Sequence, residues 1–329
     1  MHQRTLNTRT HRASGQARLD RRVVRVEAFF NLGQKKAAAA PATQATPDRP
    51  VPFPSNYDQA IRQAQESVKA ALADGNKLLE VEFPSTSLAS VQGDGEGMNE
   101  MNASMGFLRQ LLSAFRDQAP GIRIFWPDQT ELAVARSGQT MDPAAGRAKL
   151  DPKFADTSFK MGYLTKTNAV WSTIGVNVGF GQKFSPVQQV KESDELFFVA
   201  YPHFNPREEL SAVYDIYKGV AAERGIPMVI FNGELDRIRG GYYPSLFFSE
   251  LAKITNEFLP KFTQAYYIHN FKGTRPGVLF RAYPGPWCVY RRNPADSGDL
   301  RLIWTGDNMP SLKEVALDIL GSNRMAPDA

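Results

Sequence analysis

Residues 56–84 read NYDQAIRQAQESVKAALADGNKLLEVEFP. Ile61, Ala64, Val68, Ala71 and Leu72 fall on one stripe at helical spacing, with Ser55 or Asn56 as a cap and Asp74-Gly75 as a turn. Leu78 to Phe83 then reads as a short strand, stopped by Pro84. The same unit returns downstream. A helix over Met98 to Gln118, with Phe107, Leu108, Leu111, Leu112 and Phe115 on its stripe, closes at Pro120-Gly121. A strand from Ile122 to Trp126 follows it and stops at Pro127. The rhythm fades between Thr130 and Pro186, where Val170 to Val178 alone suggests a strand. It resumes with a strand over Glu195 to Ala200, a helix over Pro206 to Arg224 ended by Gly225, and a strand over Met228 to Phe231. Tyr243 to Pro260 is another helical stretch. Helix and short apolar strand in alternation predict an α/β fold of Rossmann-like type, with a doubly wound, mainly parallel sheet.

The C-terminal part changes character. Ala265 to His269, Gly277 to Tyr283, Trp287 to Arg292 and Leu300 to Thr305 read as a strand meander, an antiparallel extension of the sheet. Ser311, with Glu314 three residues on, opens a closing helix that runs to Leu320. These elements fit one α/β domain over residues 54–321, followed by a disordered tail, 322–329.

Ahead of the domain the composition differs. Residues 1–26 hold seven Arg and one acid, Asp20, among scattered hydroxyl and amide side chains, without a continuous apolar centre. That is the make-up of an organelle transit peptide, with processing expected between residues 25 and 50. Composition alone separates chloroplast from mitochondrial import poorly. Residues 27–53, rich in Pro and Ala, read as a flexible linker. Residues 1–50 carry ten basic side chains against three acids, a charge of +7. Taken from the chain's +5, this leaves −2 for residues 51–329, so no long-range field draws nucleic acid to the domain. No apolar run reaches the ~18 residues of a membrane-spanning helix. The single Cys288 excludes an intrachain disulfide and reads as a small buried side chain.

The motifs that carry well-known chemistry are missing. There is no phosphate loop, and Gly175 to Lys183 (GVNVGFGQK) has the wrong spacing for one. There is no dinucleotide fingerprint, no nucleophile elbow and no zinc spacing. No catalytic residue, cofactor or metal is assigned on this basis, and the chain reads as a non-enzymatic protein. In doubly wound sheets ligands sit outside the carboxyl ends of the strands. Those ends supply Ser85, Asp128, His203, Asn232, Glu234 and Asp236 as a candidate polar crevice, in which Asp128 and His203 form a candidate acid–base pair. Each of these residues is also an ordinary helix cap or loop-solvating group. Tyr242, Tyr243 and Trp287 are candidate partner contacts, although the aromatic run from Phe280 to Trp287 reads first as a core edge.

The blocks Tyr57-x-x-Ala60-x-x-Gln63-Ala64, Ala71 to Gly75 and Leu79 to Pro84 resemble the opening of an uncharacterised domain family of plants, algae and cyanobacteria. Shorter pieces extend the likeness: Asp194 to Phe197 with Pro202, Pro227 to Asn232, and Phe280-Arg281-x-Tyr283-Pro284-Gly285-x-Trp287. The family is typified by the chloroplast low photosystem II accumulation three protein. The resemblance covers about residues 54–320. It implies a chloroplast protein of the stroma or the stromal face of the thylakoid that assists photosystem II assembly by protein–protein interaction. Photosystem II subunits or thylakoid insertion and assembly factors are the expected partners, with peripheral membrane attachment open and nucleic acid excluded. The family supplies no catalytic residues to carry over. The alternative from a different class is a small-molecule-binding protein or enzyme that uses the strand-end crevice.

Overall fold

The computed structural model describes residues 50–91, 97–137, 158–166, 184–244 and 246–321. The leader, most of the linker, the 322–329 tail, the Val170–Val178 strand and the Gly175–Lys183 stretch lie outside the described residues.

The first helix, α1 (Tyr57–Ala73), begins where Asn56 Oδ1 accepts the backbone N–H of Gln59 at 2.9 Å. It ends at Asp74, followed by Gly75 in a left-handed turn at φ 83°. Its buried face holds the stripe read from the sequence, Ile61, Ala64, Val68, Ala71 and Leu72, with Ala60 and Ser67 beside it. The chain packs slightly earlier than residue 54, because Phe53, placed in the linker by composition, meets Phe280 edge-on at 5.4 Å.

β1 (Leu78–Glu82) is buried along its whole length. α2 (Gly97–Leu112) leads to β2 (Ile122–Asp128), then α3 (Gln129–Ser137) and β3 (Lys160–Thr165). β4 (Leu196–Ala200), α4 (Pro206–Ile216), β5 (Met228–Phe231), α5 (Leu235–Arg239) and α6 (Ser249–Glu257) follow. The meander is β6 (Thr263–Phe271), β7 (Gly277–Ala282), β8 (Trp287–Asn293) and β9 (Asp296–Gly306), closed by α7 (Leu312–Glu314) and a further turn to Ile319. Together the strands form one nine-stranded sheet in the order β3-β2-β4-β5-β1-β6-β7-β8-β9. Pairing is parallel from β3 to β6 and antiparallel from β6 to β9. The mixed α/β architecture is thus the Rossmann-like, mainly parallel sheet with an antiparallel extension that the alternation predicts.

Helices cover both faces. α1, α2 and α3 share a core with Leu79, Val81 and Phe83, while α4, α5 and α6 share a second with Leu78, Met228 and Ile230. Among the described residues, α2 and α3, which lead toward β3, lie on one face, and α4, α5 and α6, which lead back, lie on the other, as right-handed crossovers require. A third cluster, with Trp287, Val289 and Val315, lies under α7.

Several elements differ from the sequence reading. α2 stops at Leu112 and the chain continues as a 3-10 segment, Ser113–Gly121, with Pro120 in its last turn. The helix over Pro206 to Arg224 widens into one π turn, Tyr217–Ala221, before Gly225 ends it at φ 64°. β2 runs past Pro127 because pairing with β3 continues to Asp128↔Thr165, whereas its pairing with β4 ends at Phe125↔Val199. β3 falls in the stretch without clear rhythm. It is an edge strand in which Gly162 and Leu164 are buried while their neighbours are half-buried. A Cβ on Gly162 would stand 3.0 Å from the Phe125 ring. α6 occupies only the middle of the Tyr243–Pro260 stretch, and α3 and α5 are short helices that the sequence did not announce.

Candidate functional site

β1 presents two different faces. Leu79 and Val81 enter the apolar core under α1 and α2, and the alternate residues Glu80 and Glu82 are buried toward the opposite side. Glu80 accepts from the Arg239 guanidinium of α5 (Nη1–Oε1 2.9 Å) and from Gln264 of β6 at 3.0 Å. Asp236, at the start of α5, lies 3.2 Å from Arg239, accepts the Tyr267 hydroxyl hydrogen bond and stands 3.5 Å from His269 Nδ1. Burial alone would raise the Asp236 carboxyl. The His269 contact, the Arg239 charge and the Tyr267 hydroxyl outweigh it and hold Asp236 below the usual range. The same ion pairs hold the Arg239 guanidinium protonated.

Glu82 differs. Burial, followed by repulsion from Glu80, Glu234 and Asp236, pushes its carboxyl well above the ordinary value, although it accepts the Glu234 backbone N–H at 3.0 Å. The shift favours the protonated form, in which a carboxyl can donate a hydrogen bond.

The connections after β1 and β5 leave on opposite faces, which makes the gap between these strands a topological switch point. Asn232 closes it. Its backbone N–H reaches Val81 O at 2.8 Å, its Oδ1 accepts from Phe83 N at 3.1 Å, and its Nδ2 donates to Ser104 at 3.1 Å and Ser85 at 3.3 Å. Those bonds hold Asn232 at φ 48°, and Glu234 follows at φ 47°. Tyr201, just past β4, is at φ 31°. Among the described residues these are the non-glycine residues with positive φ, and all three sit at the carboxyl ends of β4 and β5. Such backbone costs about 1–3 kcal/mol per residue, most for the bulky Tyr201. His203 donates its Nδ1–H to Asn232 O at 2.9 Å, and its Nε2 stands 3.9 Å from Glu234 Oε1.

Glu82, Ser85, Glu100, Ser104, His203, Asn232 and Glu234 therefore line one crevice. It brings the Glu82 carboxyl and the His203 imidazole into one lining. Its own side chains nearly fill it, leaving about 10 Å³ for a guest, the room of one water. Among the described residues no group of His, Cys, Asp or Glu side chains is arranged to hold a metal.

Four of the six crevice candidates, Ser85, His203, Asn232 and Glu234, are thus brought together. Asp236 is committed to the buried ion-pair network beside β6. Asp128 is a cap, accepting the Glu131 N–H at 2.9 Å at the start of α3, and it does not line this crevice. No Asp128–His203 hydrogen bond forms. Ser104 and Glu82 were missed by the sequence reading. A polar residue within the apolar α2 and two acids alternating inside an apolar strand were the available signals.

The aromatic candidates also separate. Trp287 corrects its assignment as a contact: it is 1% exposed, held edge-on against Tyr267 at 5.2 Å with the Arg281 guanidinium 5.4 Å over its ring. Its place on the inward face of β8 leaves it no surface to offer. Tyr242 is 70% exposed, with Arg237 5.9 Å from its ring, whereas Tyr243 is half-buried against Phe248 at 5.3 Å. Leu246 and Phe247, not singled out from the sequence, are more exposed still, at 85% and 74%. Cys288 is buried, as expected, and burial pushes its thiol up to about 11.

Comparison with curated proteins and with solved structures returns no match. The family description "Domain of unknown function (DUF1995)" matches residues 54–317, which hold every element from α1 to β9, the crevice and the exposed 240–248 segment, and the chain belongs to that family.

Proposed function

We propose that this protein assists photosystem II assembly in the chloroplast through protein–protein contact, using the segment 240–248 as a docking element. The observation that supports this reading is the exposure of Tyr242, Leu246 and Phe247, three large apolar side chains within six positions. Leaving such groups in water has a cost that a partner removes, at about 25 cal/mol per Å² of apolar surface covered. Tyr243 and Phe248 anchor the segment to the domain from within. The organelle and the photosystem come from the sequence resemblance and the transit-like leader. Among the described residues no helix is long and apolar enough to cross a membrane, so contact with integral subunits in this reading is peripheral.

The test is affinity capture from solubilised thylakoids and stroma, comparing the wild-type chain with a Leu246→Ser, Phe247→Ser variant. Photosystem II subunits or insertion factors are expected with the wild type and lost with the variant, whose stability changes by no more than about 0.5 kcal/mol. Equal capture by both would reject the segment. Equal loss of photosystems I and II in a strain lacking the protein would reject the role.

A second reading, small-molecule binding, draws on the polar lining of the strand-end crevice and the left-handed backbone of Tyr201, Asn232 and Glu234 around it, and requires the crevice to widen beyond the room of one water. Native mass spectrometry of the purified protein checks it, since a retained small ligand that His203→Ala releases is the expected result. A ligand-free wild-type protein would count against it.

A further inference from the structure

A second concavity lies away from the crevice, on the outer side of the first two helices. Asp58, Ile61, Arg62 and Gln65 recur at i, i+3, i+4 and i+7 on α1 and line one wall. Arg109 and Gln110 of α2, with Ser113 and Arg116 of the 3-10 segment that continues it, line the other. The two walls are held in register by Gln65, whose Nε2 donates to Gln110 O at 2.8 Å and to Ser113 Oγ at 3.2 Å. The groove is open to solvent and offers about 560 Å³ of room.

Its charge sets it apart from the rest of the domain, which is slightly acidic. Three arginines and one aspartate line it. Among the described residues none of Arg62, Arg109 and Arg116 forms an ion pair with a carboxylate, and Ile61 is the lone aliphatic side chain in the lining. An acid at i±3 or i±4 is the natural partner of a helical arginine, and Arg62 has Asp58 and Glu66 at those places. Arg109 has none there, because Met105, Gly106, Leu112 and Ser113 occupy those places. An arginine fork suits the planar or tetrahedral oxyanion, which it meets with two parallel hydrogen bonds. The Gln110 side chain adds a neutral donor of the kind that completes such a shell, while the Ser113 hydroxyl is spent on Gln110 O at 2.7 Å.

We infer that the α1–α2 groove is a binding site for a phosphate-bearing ligand, with Arg62, Arg109 and Arg116 as its charged contacts. The site is separate from both the strand-end crevice and the 240–248 segment, and it stands whether or not the photosystem II reading does. The phosphate comes either from a free small molecule or from a lipid headgroup, and the two sources are told apart by experiment.

Titration calorimetry of the full chain with inorganic pyrophosphate probes the first source. Co-sedimentation with vesicles of phosphatidylglycerol and phosphatidylcholine in equal parts, against pure phosphatidylcholine, probes the second. Arg109→Gln removes one fork and is expected to weaken whichever probe binds by about tenfold, with a further drop in Arg62→Gln, Arg109→Gln. Arg207→Gln removes the same charge from the exposed surface of α4, outside the groove, and is expected to leave binding unchanged. Saturable pyrophosphate binding assigns a free phosphate ligand, and binding confined to phosphatidylglycerol vesicles assigns a lipid headgroup. Absence of binding to either probe by the wild type overturns the inference. So does an equal loss in Arg207→Gln, which would reduce the effect to net charge.

Discussion

Replacing Asp194 by Ala tests how β2, β3 and the turn before β4 are fastened together. The carboxylate is buried and accepts from Arg123 Nε at 2.6 Å and Nη2 at 3.3 Å, from Lys160 Nζ at 2.9 Å and from Lys191 N at 2.8 Å. Arg123 is 6% exposed and cannot turn to water, so the substitution leaves a guanidinium buried without its counter-charge. Breaking a buried pair from one side costs about 3–5 kcal/mol. Lys160 is partly exposed and can rehydrate, so it adds little. In a domain of this size each kcal/mol moves the melting temperature by about 2–4 °C, which gives a fall of about 6–20 °C. Replacing both partners, Arg123→Met with Asp194→Leu, is expected to recover most of the loss.

The pH dependence supplies an independent check. Burial would raise the Asp194 carboxyl, but the Arg123 and Lys160 contacts and the Lys191 N–H hold it below the usual range. A lowered carboxylate contributes stability that is present above its unfolded pKa of about 3.9 and disappears as pH falls through the folded value. The gap between wild type and Asp194→Ala therefore narrows below about pH 4. Urea unfolding followed by circular dichroism at several pH values measures it. A gap under about 1 kcal/mol at neutral pH, or one that stays constant into acid, would refute the reasoning.

Glu209 carries the opposite sign. Burial, then repulsion from Asp128, pushes its carboxyl up to about 8, with Oε1 accepting from Asn205 N and Oε2 without a partner. Between its unfolded value of about 4.3 and that folded value the native state holds an extra proton, so stability falls as pH rises, by up to about 1.4 kcal/mol per unit. Glu209→Gln is expected to flatten that slope in denaturation curves taken between about pH 5 and about pH 8. An unchanged slope would place the titration elsewhere. Gly277→Ala is expected to destabilise by about 1–3 kcal/mol in a thermal melt, since its Cβ would stand 2.6 Å from the backbone oxygen of Tyr290 and 2.5 Å from Leu320. A melt equal to wild type would show that β7, β8 and the final turn yield more easily than their contacts imply.

How far the sequence could be read depended on what carried the signal. α1, β1, β4 and β5 are legible because each has a clean period and a chemical stop: Asn56 and Gly75 for α1, Gly225 before β5. β3 is illegible because it is an edge strand with a glycine where a buried side chain would otherwise show. Its place is set by Phe125 and Gln189, which only the fold brings near. In the crevice, the loop positions after the strands named Ser85, His203, Asn232 and Glu234 together. Asp128 and Asp236 stand at equivalent sequence positions, yet one caps α3 and the other turns under α5. The choice depends on the direction each helix takes away from the sheet, which residue type does not encode. The aromatics failed for a related reason: strand alternation sends Trp287 inward, and only burial distinguishes it from Tyr242.

The position of β1 constrains how this chain can be made. Leu78 pairs with Met228 on one side, and Leu79 with Thr263 on the other. A strand synthesised early thus waits, with both edges open, for partners that emerge far later in synthesis. The N-terminal elements cannot complete their sheet as a separate module, and the C-terminal elements lack their middle strand without them. Contacts so distant in sequence slow folding and prolong the exposure of unpaired edges. A polypeptide threaded through any narrow pore would face the same delay until residue 271 had cleared it. This fold therefore calls for a protected interval between emergence and closure, during which Glu80 and Glu82 keep one face of the waiting strand wet.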